Sequence, residues 1–299
     1  MSTILCFGEV LWDEFPTHKK IGGAPLNVAV RFQSMRNNVA IISRVGDDRS
    51  GRKLIGFLQD QNINTSAVQI DSIYKTGNVK VLLDSNGCAS YEIEYPCAWD
   101  KIELSEEAIK LTKTSDVFVY GSLASRDEVS KNTLMELLKI AKYKVFDVNL
   151  RAPHYSFKVL SDLMNHADFI KFNDDEIFEI GDFLNISTKS LEQLIMSIAG
   201  QTKAKSICVT RGKKGAILYN EGKLYYNKGY KVKVVDTVGA GDSFLATLIS
   251  KLTDNNAPQE SLDYACAVGA LVTSSEGANP VINEMSIKNL TGVLSEYLL

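Results

Sequence analysis

The stretch Val234-Val235-Asp236-Thr237-Val238-Gly239-Ala240-Gly241-Asp242-Ser243-Phe244 decides how the rest of the chain is read. Ahead of the glycines, residues 231–235 alternate charged and apolar side chains as a strand edge does. Behind them, Phe244, Leu245, Leu248, Ile249 and Leu252 recur at helical spacing. Gly239, Ala240 and Gly241 carry little or no side chain, so N–H groups at the helix start can approach an anion, which the positive end of the helix dipole favours. Asp242 sets a carboxylate beside a place that attracts phosphate. That is unfavourable unless the carboxylate has work to do, such as accepting a proton from an attacking hydroxyl. The competing reading is a helix N-cap, the ordinary post of Asp or Ser.

The bulk properties narrow the choice. A chain of 299 residues can bury a large core, as one big α/β domain or two smaller ones. With 45% hydrophobic and 23% charged residues it has the composition of a soluble globular protein. Its formal net charge of -3 argues against a nucleic-acid partner, which would need a basic surface. Five cysteines without CxxC spacing and three scattered histidines (His18, His154, His166) suit neither a structural zinc site nor a disulfide framework. Cys6, Cys208 and Cys266 lie in apolar runs and are expected to pack as small hydrophobes. The N-terminus lacks a basic leader and no apolar run approaches the ~18 residues that span a bilayer, so the expectation is a cytoplasmic protein with no membrane partner.

Taken in order, residues 4–12 read as a first strand that ends at Asp13, where open α/β sheets place ligand groups; the alternative for Asp13 is a turn residue before Pro16. The next segment, Ile21-Gly22-Gly23-Ala24-Pro25-Leu26-Asn27-Val28-Ala29-Val30-Arg31-Phe32, pairs a diglycine with a helix that is apolar nearly all round. Asn27 is the odd residue there, and a buried amide needs either backbone or a polyhydroxylated ligand as partner. Gly46 and Gly51 have phosphate-loop spacing, but Arg52, Lys53 and Leu54 follow, so the loop reads as a capped turn between strand and helix. Residues 77–83 and 91–95 are β-rich and joined by Asp84-Ser85-Asn86-Gly87, a hairpin signal. Such a hairpin has no obvious place in the main sheet; it suits either a lid that keeps water from a site or a plain structural role.

Beyond Trp99 strands and helices alternate, with strands expected at 117–120, 144–148, 169–172 and 206–210 and helices at 126–141, 157–164 and 188–199. The fold class is therefore α/β, a doubly wound, mainly parallel central sheet flanked by helices, forming a single domain over 1–299 with an inserted β lid from about 14–21 and 70–99. Three strand ends carry polar groups. Asp147-Val148-Asn149-Leu150-Arg151 offers a guanidinium for phosphate or a neighbouring carboxylate. Asn173-Asp174-Asp175-Glu176 offers acidic groups for a hydrated magnesium or for capping a helix. Thr210-Arg211-Gly212-Lys213-Lys214-Gly215 is a basic glycine turn, or the start of a hairpin around Asn220-Glu221-Gly222.

Together these segments resemble the ribokinase, or PfkB-type, family of carbohydrate kinases, and within it the fructokinases. Gly22-Gly23-Ala24-Pro25-Leu26-Asn27 is similar to the family's N-terminal motif and Asp236-Thr237-Val238-Gly239-Ala240-Gly241-Asp242-Ser243-Phe244 to its C-terminal one. Asn173 and Glu176 fit its NxxE motif, Gly46, Asp48 and Gly51 its GxDxxG turn, and Thr210, Gly212 and Gly215 its TxGxxG turn. Phe7-Gly8-Glu9 with Asp13, Tyr95-Pro96-Cys97-Ala98-Trp99-Asp100 and Asp147-Val148-Asn149-Leu150-Arg151 resemble fructokinases in particular. The resemblance implies ATP-dependent phosphorylation of a primary hydroxyl of a free hexose, with fructose foremost and ribose, 2-keto-3-deoxygluconate or a nucleoside as other acceptors. It implies that Asp242 is the base, that Gly239, Ala240 and Gly241 form the anion hole, and that Asp13, Gly22, Gly23, Asn27 and Arg151 hold the sugar. It further implies that Thr210, Gly212 and Gly215 border the nucleotide. Asn173 and Glu176 would organise Mg2+ through water, and Asp236 and Val238, with the segment 275–277, would hold a monovalent cation such as K+. An exposed lid edge suggests a homodimer. Two other readings stand beside this one: a Rossmann dehydrogenase, for which Phe244 occupies the third glycine position, and a catalytically silent sugar sensor.

Overall fold

The computed structural model describes residues 1–83 and 89–292. The chain divides into two compact units, Thr3–Lys142 and Tyr143–Leu299, the latter joined by Met1–Ser2. The proposed turn Asp84-Ser85-Asn86-Gly87 lies outside the described residues.

In the unit Thr3–Lys142 the elements are β1 (Thr3–Phe7), β2 (Leu11–Glu14), β3 (Lys19–Gly22), α1 (Ala24–Ser34), β4 (Asn38–Gly46), α2 (Arg49–Asp60), β5 (Val68–Asp71), β6 (Gly77–Leu83), β7 (Ala89–Ile93), α3 (Glu106–Thr114), β8 (Val117–Gly121) and α4 (Glu128–Leu138). Strands β8, β1, β4 and β5 lie side by side, all parallel. Ile4, Leu5, Cys6 and Phe7 are fully buried, as are Ile41 and Ile42 of β4, the continuous burial of a strand covered on both faces. A second, four-stranded sheet runs β3-β2-β6-β7. It is mixed: β2 pairs antiparallel with β3 and parallel with β6, which pairs antiparallel with β7.

The run 4–12 is thus two strands in two sheets, not one. The ladder with β4 ends at Gly8, whose N–H still donates to the Ile42 carbonyl while its own oxygen is taken by the Ser43 hydroxyl at 2.6 Å. A ladder carbonyl capped by a side chain cannot extend the sheet, and the chain turns away to start β2. Asp13 accordingly sits inside the small sheet, opposite Lys20 and Val79, and not at the end of a central strand.

In the other unit the elements are β9 (Lys144–Asp147), α5 (Phe157–His166), β10 (Phe169–Asn173), α6 (Asp174–Phe183), α7 (Leu191–Gln201), β11 (Ser206–Thr210), β12 (Ala216–Asn220), β13 (Lys223–Asn227), α8 (Ala240–Thr253), α9 (Pro258–Thr273) and α10 (Glu284–Thr291). Strands β9, β10 and β11 are parallel, and the hairpin β12–β13 extends them antiparallel. Residues 231–235, expected as a strand, are not one. Lys231, Lys233, Val234 and Val235 are exposed, and the segment is tied down by Val235 and Asp236 N–H groups that both donate to the Thr273 carbonyl at the end of α9. Alternation in this stretch reflects an extended chain lying on a helix end, where no neighbouring strand is needed. Cys6, Cys97, Cys208 and Cys266 are buried, and no helix among the described residues is long and apolar enough to cross a membrane.

Candidate active site

Helix α8 begins where its sequence has least bulk. Gly239 is the N-cap, at φ 75°, the left-handed region. Besides that conformation, a side chain would meet the Ala278 carbonyl oxygen at 2.4 Å, so glycine is required twice over. The cap position belongs to Gly239, and the reading of Asp242 as an N-cap is corrected: it stands in the first turn of α8 and is half-buried. The preceding turn is held by Asp236, whose carboxylate accepts from Val238 N–H at 3.0 Å and Gly277 N–H at 3.2 Å. The two segments expected to share a cation, 236–238 and 275–277, are therefore clasped together. With its carboxylate engaged by N–H groups, Asp236 leaves backbone carbonyls as the donors for such an ion, and oxygen donors are what a hard cation takes.

Along the edge of the same unit, Asn173 caps α6. Its side chain accepts from Glu176 N–H at 2.8 Å, and Glu176 Oε2 accepts from Asn173 N–H at 2.8 Å, a reciprocal capping box. Glu176 Oε1 accepts from Leu150 N–H at 3.0 Å, binding the NxxE segment to the loop after β9. Glu176 is 6% exposed, and burial raises its pKa, opposed by the charge of Lys171. No group of three or more His, Cys, Asp or Glu converges for a metal among the described residues, and both Glu176 oxygens and Asn173 Oδ1 already accept from backbone N–H groups. A hydrated ion does fit: the Glu176 oxygens keep second lone pairs, and the buried Asp147 Oδ2 has no hydrogen-bond partner among the described residues. Arg151, exposed at the end of that loop, donates from Nη1 to the adjacent Leu150 carbonyl at 2.8 Å and pairs with no carboxylate among the described residues.

Two charges absent from the expected site stand here. Lys171 of β10 and Asp147 of β9 are register partners, and Lys171 Nζ donates to Asp147 Oδ1 at 2.8 Å with both side chains buried. The signal in the sequence is a lysine inside the apolar run Phe169-Ile170-Lys171-Phe172, where a charge is costly without a partner. The turn after β11 folds as the glycines require: Thr210 Oγ1 donates to the Phe172 carbonyl at 3.4 Å, Gly212 opens a 3-10 turn over Gly212–Lys214, and a side chain on Gly215 would meet the Asn227 carbonyl oxygen at 2.1 Å.

In the unit Thr3–Lys142, the diglycine makes a seat for a carboxylate. A Cβ on Gly22 would lie 2.2 Å from Asp13 Oδ2, so the absent side chain is the space the carboxylate occupies. Gly23, at φ 109°, is the N-cap of α1, and a Cβ there would meet the Glu9 carbonyl oxygen at 2.5 Å. Its own carbonyl accepts from Asn27 N–H at 2.9 Å. Asn27 is 4% exposed in the first turn of α1, amid buried apolar neighbours, as the sequence demands of it. Asp13, Gly22, Gly23 and Asn27 are thus one local cluster built by a hairpin and the helix that follows it. The GxDxxG turn proves to be scaffolding: Asp48 caps α2 and accepts from Gly51 N–H and from the N–H and hydroxyl of Thr76 at 2.8–2.9 Å.

The model of the pfkB family of carbohydrate kinases matches residues 2–285. The chain is 32% identical to a protein of Arabidopsis thaliana described as probable fructokinase-7, over 94% of this chain and 90% of that one. It is 30% identical to fructokinase-2 of Solanum lycopersicum, over 93% and 92%. A double mutant of the fructokinase of Vibrio cholerae O395, solved with fructose, ADP and potassium ion, superposes with a TM-score of 0.83 at 24% identity, over 97% of this chain and 98% of that one. The dehydrogenase alternative has no counterpart in these matches. With the family's two glycine motifs each folded into an N-terminal helix turn beside a carboxylate, and with the match running almost end to end, the chain belongs to the pfkB family of carbohydrate kinases.

Proposed function

We propose that this kinase transfers the γ-phosphoryl group of ATP to the primary hydroxyl of fructose, giving fructose 6-phosphate. The observation that carries the reading is the start of α8, where a left-handed glycine packed on Ala278 opens the helix without a side-chain cap, Ala240 N–H reaches only the Thr237 carbonyl at a long 3.4 Å, and Asp242 stands in the same turn. Asp242 takes the proton of the attacking hydroxyl. The sugar oxygen forms the new bond to phosphorus, the bond to the bridging oxygen breaks, and ADP leaves with that electron pair. The N–H groups of Gly239, Ala240 and Gly241 stabilise the charge on the transferring group without reorganising, the larger share of catalysis in reactions of this kind. Asp13, Gly22, Gly23 and Asn27 bind sugar hydroxyls, the small sheet acts as their lid, and the exposed Arg151 meets phosphate or sugar. Thr210, Gly212 and Gly215 border the nucleotide.

Magnesium, when bound, neutralises phosphate charge; Asn173 and Glu176 hold it through water. Potassium, present in the Vibrio cholerae structure, is held by the turn at Asp236 and Val238 together with 275–277. The protein works in the cytoplasm, and its lid edges β3 and β7 offer a dimer contact. A panel of fructose, ribose, 2-keto-3-deoxygluconate and nucleosides, each with ATP and magnesium in a coupled ADP assay, tests the reading. Fructose is expected to give the highest kcat/KM; a tenfold preference for any other acceptor overturns the fructose assignment, and no sugar-dependent ADP release overturns catalysis itself.

A further inference from the structure

We infer that the hairpin β2–β3 and the start of α2 form a second ligand site, a basic cleft on the face of β2 opposite Asp13 that takes the phosphate monoester of a small sugar. The cleft has a volume of about 360 Å³ and is lined by Trp12 of β2, Lys19 of β3 and Arg49, Ser50 and Lys53 of α2. That volume lies within the ~300–1,000 Å³ of small-molecule pockets.

The walls of the cleft follow from the strand pairing. Side chains alternate along a strand, so Trp12 and Glu14 point to one face of β2 and Asp13 to the other. Lys19 stands opposite Glu14 in the register, which puts it on the Trp12 face. Across the cleft, Arg49 and Lys53 are four residues apart in α2 and so share one side of the helix. One hydrogen bond joins the two walls, from Trp12 Nε1 to the Ser50 carbonyl at 3.2 Å. The indole's single N–H is engaged there, and what it presents to the cleft is carbon.

The charges here lack partners that the same helix gives to their neighbour. Arg52 meets Asp47 at 2.8 Å. Arg49 and Lys53 are exposed and pair with no carboxylate among the described residues, and α2 has no acidic residue in its first turn. Like charges at i and i+4 repel, and cations at a helix N-terminus oppose its dipole, so both arrangements are unfavourable until an anion lies between them. Asp48 already caps the helix through Gly51 N–H, which leaves side chains, not backbone, to hold that anion. The third cation, Lys19, meets Glu14 at 3.1 Å, but Glu14 is also held by Asn78 Nδ2 at 2.7 Å and does not line the cleft. Solvation accounts for each cation singly; it gives no reason for three of them to line one cleft from which carboxylates are absent among the described residues. A phosphate monoester, with about two negative charges and three acceptor oxygens, matches three cations better than a single carboxylate does. Its sugar lays a C–H face on the indole.

Equilibrium dialysis of the protein against radiolabelled glucose 6-phosphate, without nucleotide, tests the site. The parent is expected to bind the ester, and Arg49→Ala combined with Lys53→Ala to bind it about tenfold or more weakly, the effect of losing charge-assisted hydrogen bonds. Both side chains are exposed, so the variant is expected to keep the parent's circular dichroism and melting temperature. Arg52→Ala removes a charge from the same helix outside the cleft and should leave the affinity within about twofold of the parent's. Equal losses in the two variants would mean diffuse attraction and overturn the inference. An affinity that the double variant leaves unchanged places the ester elsewhere, the catalytic site included, and overturns it as well; so does a parent that binds no ester at millimolar concentration. Inorganic phosphate, dialysed in parallel, makes no use of Trp12 and is expected to bind about tenfold more weakly than the ester. Equal affinity for the two overturns the assignment to a sugar phosphate.

Discussion

Two turns of this protein use the same letters for opposite ends. The turn from Gly46 to Gly51 and the turn from Gly239 to Asp242 both join an extended segment to a helix with glycines and an aspartate. In the first, Asp48 is the N-cap of α2, and its oxygens are consumed by Gly51 N–H and by the N–H and hydroxyl of Thr76. In the second, a glycine takes the cap position and the aspartate moves into the first turn of α8. An aspartate that fills the cap quenches the helix start; a glycine at the cap makes no side-chain hydrogen bond to it, which is the arrangement an anion-binding helix start needs. The residue at the cap, more than the presence of an aspartate, separates scaffold from site.

The contrast can be broken at either turn. The largest effect is expected from Asp242→Asn: kcat falls about 10²- to 10⁴-fold in a coupled ADP assay, with the sugar KM and the melting temperature close to the parent's. A comparable loss of stability without loss of turnover would make the two turns alike. Next comes Gly239→Ala, which forces a left-handed alanine and a contact with the Ala278 carbonyl; urea unfolding should show a loss of about 1–3 kcal/mol, and turnover should fall with it. Gly212→Ala, also left-handed but with open space around it, is its control and should cost no more than about 1–2 kcal/mol.

Asp48→Asn should spare kcat and cost about 1 kcal/mol at neutral pH. Its sign with pH follows from the shift. Burial works to raise the Asp48 pKa, but the hydrogen bonds from Thr76 and Gly51 outweigh it and hold the carboxyl below its ordinary range. The contribution is therefore complete above the unfolded carboxylate pKa of about 3.9 and disappears as pH falls through the lower folded value. Parent and variant stabilities should converge on acidification, and a gap that widens instead would refute the capping account. The smallest change is Gly56→Ala in α2, where a side chain meets nothing within 4 Å; it should stabilise by about 0.5–1 kcal/mol, seen as a higher urea midpoint.

What the sequence reveals divides along the same line. Motifs whose function is local, such as 22–27 and 239–242, are legible because small residues, a helix start and a polar group are adjacent in the chain. The parallel strands are legible because they are buried on both faces, as Ile4 to Phe7 show. Lys171 and Asp147 were not singled out because their relation is one of register between strands 24 residues apart. The split of β1 from β2 was missed because Gly8 interrupts neither hydrophobicity nor alternation; the Ser43 hydroxyl that ends the ladder is 35 residues away. Residues 231–235 misled for the converse reason, a strand-like pattern with a helix end for a partner.

The seat of Asp13 has one more consequence. Because its carboxylate fills the volume that a side chain on Gly22 would claim, and Gly22 is set opposite Leu11 by the pairing of β2 with β3, the hairpin works as an aiming device. Its pitch, counted in residues, decides which way the carboxylate points, and a slip by one would turn it to the other face of the sheet. Grafting the glycine motif onto another scaffold would therefore transfer the space above Gly22 without the carboxylate that fills it; the smallest portable piece runs from residue 11 through Asn27.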